Sequence, residues 1–116
     1  MNFKLIKKLS EVAGPSGFED RTRDLITKEI SSYVDKNSVE NMGNLIAFRK
    51  GQSDKKMMIA AHMDEIGFIV THIDDNGFLK FTTLGGFDPK TLTAQRVIVH
   101  GKKDIIGVMG AKPIHV

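Results

Sequence analysis

The chain contains no cysteine. That one absence removes disulfides, thiolate metal ligands and a thiol nucleophile, so any metal must rely on histidine and carboxylates, and a reducing, cytoplasmic location is expected. Long apolar runs are missing too. Lys4, Lys7 and Lys8 interrupt Phe3, Leu5 and Ile6, which leaves no continuous core for a secretory signal, and nothing approaches the ~20 residues of a membrane span. Charge of one sign is never concentrated. Lys and Arg exceed Asp and Glu by 17 to 14 for a net +3, spread over Lys7–Lys8, Arg49–Lys50, Lys55–Lys56 and Lys102–Lys103 without interleaved aromatics. This is a solvated surface, not the footprint of a nucleic-acid binder.

Other chemistries are missing their signatures. There is no Gly-x-Ser-x-Gly elbow for a serine hydrolase, and Gly85-Gly86 lacks both the Gly-x-Gly-x-x-Gly spacing and the following helix of a dinucleotide loop. Asp74 and Asp75 are adjacent at a turn, whereas a glycosidase pair needs separation and opposed orientation. No internal repeat or low-complexity tract occurs.

What is present is a chain of 116 residues, 41% hydrophobic, which is enough for one ordinary globular core. Leu5, Ile6, Leu9, Val12 and Ala13 recur at helical spacing and predict an amphipathic first helix, ended by Gly14-Pro15. Ser16-Gly17-Phe18-Glu19 has the form of a capping box, predicting a second helix to about Tyr33 with Leu25, Ile26 and Ile30 inward. Outward pairs Glu19–Arg23 and Asp24–Lys28 fit its i,i+4 spacing.

Strands are expected next. Ser38–Glu40 and Asn44–Phe48 flank the turn-forming Gly43 and Asn44, and a buried central strand is predicted over Lys56–His62. Phe68–Ile73 and Phe78–Thr83 flank Asp74-Asp75-Asn76-Gly77, where Asn-Gly is a strong hairpin signal. Gly85-Gly86-Phe87-Asp88-Pro89 makes a loop. Arg96–His100 and Ile105–Met109 form a further candidate pair. Helical material comes first and β-rich material second, with the change of composition near Gly67.

The stretch Met57-Met58-Ile59-Ala60-Ala61-His62-Met63-Asp64-Glu65 carries the most chemistry. An apolar run that stops at polar groups suits the end of a strand in an open α/β sheet, where such sheets place their sites. His62 and Asp64 share a face of an extended chain, so the carboxylate can orient an imidazole that binds metal, or bind metal itself. By spacing alone His62 reads first as a core histidine satisfied by a neighbouring hydrogen bond, and Asp64 as a turn cap. Glu65 reads as a loop carboxylate. His72 is expected as a partly buried structural imidazole in its strand, His100 and His115 stand at no recognised ligand spacing, and Ser16 is a cap.

Several stretches together are similar to the dinuclear-metal aminopeptidases of the glutamyl and deblocking type, which assemble tetrahedral shells and also carry the name endoglucanase. The resemblance runs through Pro15-Ser16-Gly17-Phe18-Glu19, Met42-Gly43-Asn44-Leu45-Ile46, Ala60-Ala61-His62-Met63-Asp64-Glu65-Ile66-Gly67-Phe68 and Ile73-Asp74-Asp75-Asn76-Gly77-Phe78. It continues through Gly85-Gly86-Phe87-Asp88-Pro89, Gln95-Arg96-Val97, His100-Gly101-Lys102 and Gly107-Val108-Met109-Gly110-Ala111-Lys112-Pro113.

The resemblance implies an α/β fold: residues 1–67 as the N-terminal part of an α/β/α catalytic domain, and residues 68–116 as the start of an inserted β-rich domain used in dimer contacts. It implies a metalloaminopeptidase acting on peptides, with two zinc or cobalt ions sharing a water or hydroxide, and a homo-oligomer built from dimers, up to a dodecamer. His62 matches the first metal-binding histidine and Asp64 the acid supporting it; Glu65 receives no catalytic role. Members are about three times longer, beyond the span usual for one small domain. Their bridging aspartate, general-base glutamate and remaining ligands lie in sequence not present here, so the chain reads as an N-terminal fragment, inactive alone. Two alternatives stand beside this: a noncatalytic assembly or binding module whose incomplete first half exposes apolar surface, and an endoglucanase.

Overall fold

The computed structural model of the chain describes residues 2–110. They form a mixed α/β arrangement of two helices, three antiparallel strand pairs and one short 3-10 turn. The chain packs as two compact units, Met1–Gly85 and Gly86–Val116. The first therefore includes the hairpin that begins at Gly67, although by composition that hairpin belongs with the β-rich second half of the sequence. No helix among the described residues is long and apolar enough to cross a membrane.

Helix α1, Phe3–Glu11, starts where the Asn2 side chain accepts from the Leu5 amide at 3.2 Å, the usual service of an asparagine at this position. It ends at Val12, which turns extended ahead of Gly14-Pro15. Helix α2 spans Asp20–Ile30, and Lys8 of α1 donates to Glu29 of α2 at 2.6 Å.

The capping box does not form. Ser16 and Gly17 instead occupy a tight turn closed by the Phe18 amide donating to the Pro15 carbonyl at 2.8 Å, with Gly17 at φ +86°. Glycine at the third position of such a turn takes the left-handed backbone without a Cβ penalty, and the same residues cannot also open the helix. Glu19 accepts from the Gly17 amide at 2.6 Å, and no side chain caps α2. The helix also stops short of Tyr33, because the Tyr33 amide bonds back only three residues, to Ile30. Arg23 pairs with Asp20, not Glu19, and its other guanidinium nitrogen donates to the Gly43 carbonyl at 2.8 Å. That contact clips α2 to the next turn.

Strands β1, Lys36–Val39, and β2, Leu45–Phe48, pair antiparallel across Glu40–Asn44, with Val39 opposite Leu45 and Gly43 at φ +85°. Strands β3, Gly67–Ile73, and β4, Leu79–Leu84, pair in the same sense. Phe68 meets Phe81 edge-on, ring centres 5.0 Å apart. Asp74 closes their turn by accepting from the Asn76 and Phe78 amides at 3.0 and 2.8 Å. In the second unit, Asp88 caps the 3-10 turn Pro89–Thr91, and β5, Arg96–Val99, pairs with β6, Ile105–Val108. Met109 comes next, its backbone joined to Ala94 and Gln95 by two hydrogen bonds of 2.9 Å.

Three further expectations fail in this fold. Residues 56–62 form no strand; each sheet among the described residues is a closed two-stranded pair, and a strand exists only where a neighbour supplies donors and acceptors. Met57, Met58 and Ile59 stand 88%, 89% and 88% exposed. His72 is exposed rather than partly buried: residues 69–73 are exposed on both faces of the ribbon, since no layer covers either one. An extended apolar core is missing too: among the described residues Met109 is the buried hydrophobic side chain and Thr22 the buried polar one. Two-stranded ribbons need a further layer to cover their apolar faces, and none of the described elements provides it.

Candidate functional site

His62, Met63, Asp64 and Glu65 lie between the uncovered Met57-Met58-Ile59 and the first residue of β3. The alternation expected of an extended chain brings residues 62 and 64 together. His62 Nδ1 lies 3.0 Å from Asp64 Oδ1 and 3.1 Å from the Asp64 carbonyl. Both oxygens of an ionised Asp64 that face the ring are acceptors, so the ring nitrogen facing them is the donor, and the neutral imidazole carries its proton on Nδ1. Nε2 is then left with its lone pair. The His62 side chain is 85% exposed and that of Asp64 40%. A carboxylate that sets a histidine tautomer in this way is the common outer support of a metal ligand.

Glu65 does something different. Its Oε1 accepts from the Gly14 amide at 3.0 Å, while its own amide donates to the Gly14 carbonyl at 3.0 Å. A parallel bridge joins Pro15 and Glu65 at the same place. Residues 51 positions apart are thus locked together. Nothing in the local spacing announces this contact; the one available signal is Gly14 itself, a glycine whose amide is the last donor before a proline.

The remaining candidates disperse. His100 Nδ1 lies 3.0 Å from Asp104 Oδ1, but in the second unit. His115 lies outside the described residues. Asp74 is occupied in its turn and Ser16 in another. Gly85, at φ +93°, has Ile66 where a Cβ would stand, 2.8 Å away; this is a close approach at a bend, in line with its sequence.

A catalytic zinc takes three protein ligands and keeps a fourth position open. Among the described residues no group of three or more His, Asp or Glu could hold a metal ion. These residues fit one ligand with its support, His62 and Asp64. They do not fit a complete centre.

Residues 43–116 match the model of the M42 glutamyl aminopeptidase family. Lysyl aminopeptidase of Pyrococcus furiosus is 40% identical over 117 aligned residues, covering 99% of this chain and 34% of the relative. Among solved structures, the TET aminopeptidase of the marine sediment archaeon Thaumarchaeota archaeon SCGC AB-539-E09 superposes with a TM-score of 0.91 at 36% identity, covering 97% of this chain and 32% of the other. The TET1 peptidase of Pyrococcus horikoshii, described as assembling into a tetrahedron or a large octahedral shell, superposes with a TM-score of 0.83 at 38% identity, over 97% of this chain and 34% of its own. The chain spans about a third of the length of the relatives it matches.

Proposed function

The chain belongs to the M42 glutamyl aminopeptidase family, and from that premise we propose that it forms the N-terminal portion of a metal-dependent aminopeptidase that hydrolyses the first peptide bond of its substrates. The observation that carries this reading is the His62–Asp64 contact at 3.0 Å through Nδ1, which leaves Nε2 of this largely exposed side chain as the ring nitrogen available to a metal. In the full-length enzyme His62 is a ligand to one of two divalent ions, zinc or cobalt, and Asp64 sets its orientation. The ions supply Lewis-acid chemistry when bound. The described residues supply neither a general base nor the further ligands, so the 116-residue chain has no turnover of its own.

The same reading divides the protein at Gly67, with residues 1–67 belonging to an α/β/α catalytic domain and 68–116 opening an inserted β-rich domain that makes dimer contacts. A homo-oligomer of dimers, in the dodecameric class, accords with the shell assembly described for the Pyrococcus horikoshii peptidase. The cytoplasm as its compartment rests on the cysteine-free composition. The endoglucanase alternative gains no support, since Asp74 is committed to its turn, which removes it from the adjacent pair Asp74-Asp75.

The assembly alternative draws on the exposure of Met57, Met58 and Ile59, which need a cover whatever the protein does. One set of measurements separates the two. With cobalt or zinc and aminoacyl chromogenic substrates, the full-length protein is expected to release product in a chelator-sensitive manner, His62→Ala to abolish it, and the 116-residue chain to release none. Robust chelator-sensitive release by the pure chain, or a tight oligomer of the full-length protein with no metal uptake, overturns the proposal.

A further inference from the structure

We infer that Glu65 is a positioning residue for the His62–Asp64 pair: by closing two hydrogen bonds on Gly14 it anchors the segment that carries them. The inference rests on the reading of His62 as a metal ligand and extends it to a residue with no contact to the metal. The segment before His62 has no sheet partner among the described residues, and its side chains are solvated. What holds this segment is therefore its downstream end. There Glu65 takes both the amide and the carbonyl of Gly14 at 3.0 Å, one residue after Asp64 and three after His62.

The anchor point is itself fixed. A Cβ on Gly14 would stand 2.1 Å from Thr22 Oγ1, and one on Gly67 would stand 2.6 Å from Pro15 Cβ. Thr22 is buried on α2. Glycine at both positions thus lets the backbone of 65–67 close on the Gly14-Pro15 link, which in turn seats on the second helix. The carboxylate makes the bond to Gly14 charge-assisted and so stronger than a neutral one. A positioning group of this kind acts by geometry, and a side chain of the same length that accepts without charge should replace it.

The test compares Glu65→Ala and Glu65→Gln in the full-length protein, with His62→Ala as control. Hydrogen–deuterium exchange is read over the peptides containing Gly14 and residues 62–65 in the metal-free protein, and cobalt affinity by its visible absorption. Glu65→Ala is expected to speed exchange in both peptides and weaken cobalt binding by about 10–100-fold, the range for outer supports of metal ligands; Glu65→Gln, whose amide oxygen can accept from Gly14, restores both to within about threefold. Unchanged exchange or unchanged affinity in Glu65→Ala overturns the inference. Equal loss in Glu65→Gln also overturns it, because the carboxylate would then be acting chemically. Wild-type cobalt affinity in His62→Ala overturns the ligand reading instead, while the exchange data still decide whether Glu65 holds the segment.

Discussion

Two neighbouring stretches of similar apolar character have opposite fates. Residues 67–84 close into a registered hairpin, Gly67 opposite Leu84 and Ile73 opposite Leu79, while Met57, Met58 and Ile59 stay solvated with no strand beside them. The hairpin carries its partner within a few residues and a turn to join them. The other stretch has apolar side chains on successive positions, which suits a strand covered on both faces, and such a strand takes every neighbour from elsewhere. Apolar content alone does not make a strand; a neighbour does.

The comparison can be broken first at Ile59. In the 116-residue chain Ile59→Ala is expected to change stability by under about 0.5 kcal/mol, as for an exposed site. In the full-length protein, where a further layer is expected to cover Met57, Met58 and Ile59, the same change should cost about 2–5 kcal/mol. Urea unfolding of both measures the contrast, and equal small effects would remove the central strand from the reading.

Next in size is Asp64→Ala. Cobalt affinity of the full-length protein is expected to fall about 10–100-fold, with little change in the thermal midpoint, because Asp64 touches His62 at the end of an otherwise unpaired stretch. A loss of stability without a loss of affinity would make Asp64 a turn residue only.

On the hairpin side, Gly77→Ala places a Cβ at φ +83°, which costs about 1–2 kcal/mol for an L-residue in the left-handed region. The effect should read out as faster exchange of the Asp74 amide, which donates to Phe78 at 3.0 Å across that turn. Smallest is Asp74→Ala. Losing its acceptor for Asn76 and Phe78 is expected to weaken the hairpin by about 0.5–1.5 kcal/mol, seen in the same exchange measurement and leaving cobalt affinity unchanged. If Asp74→Ala lowered cobalt affinity, the separation between the locally closed hairpin and the His62–Asp64 segment would be wrong.

Legibility from the sequence divides in the same way. The three strand pairs are readable to within a residue or two because Gly43, Asn76-Gly77 and Gly101 punctuate them and each partner lies close by. The capping box misleads because Ser16-Gly17 spells a turn as well as a cap, and the left-handed Gly17 decides between them. His72 is exposed because no described element covers either face of its ribbon, and the alternating pattern does not say which face gains a cover. At the candidate site the His62–Asp64 contact is anticipated by two-residue spacing, although no strand forms there, whereas the Glu65–Gly14 lock is not, its two ends being 51 residues apart.

By itself, then, the amino-acid order determined the elements whose hydrogen bonds close within one helix or with the next strand along the chain, together with the string around His62 that joins the chain to its family. Tertiary structure alone decided where the Glu65 carboxylate goes, how Arg23 clips α2 to Gly43, and that residues 56–62 have no neighbour among the described strands. The physical reason is range. A turn or a helix start is selected by the backbone preferences of adjacent residues, but a contact across half the chain depends on which donors and acceptors the fold leaves to be satisfied.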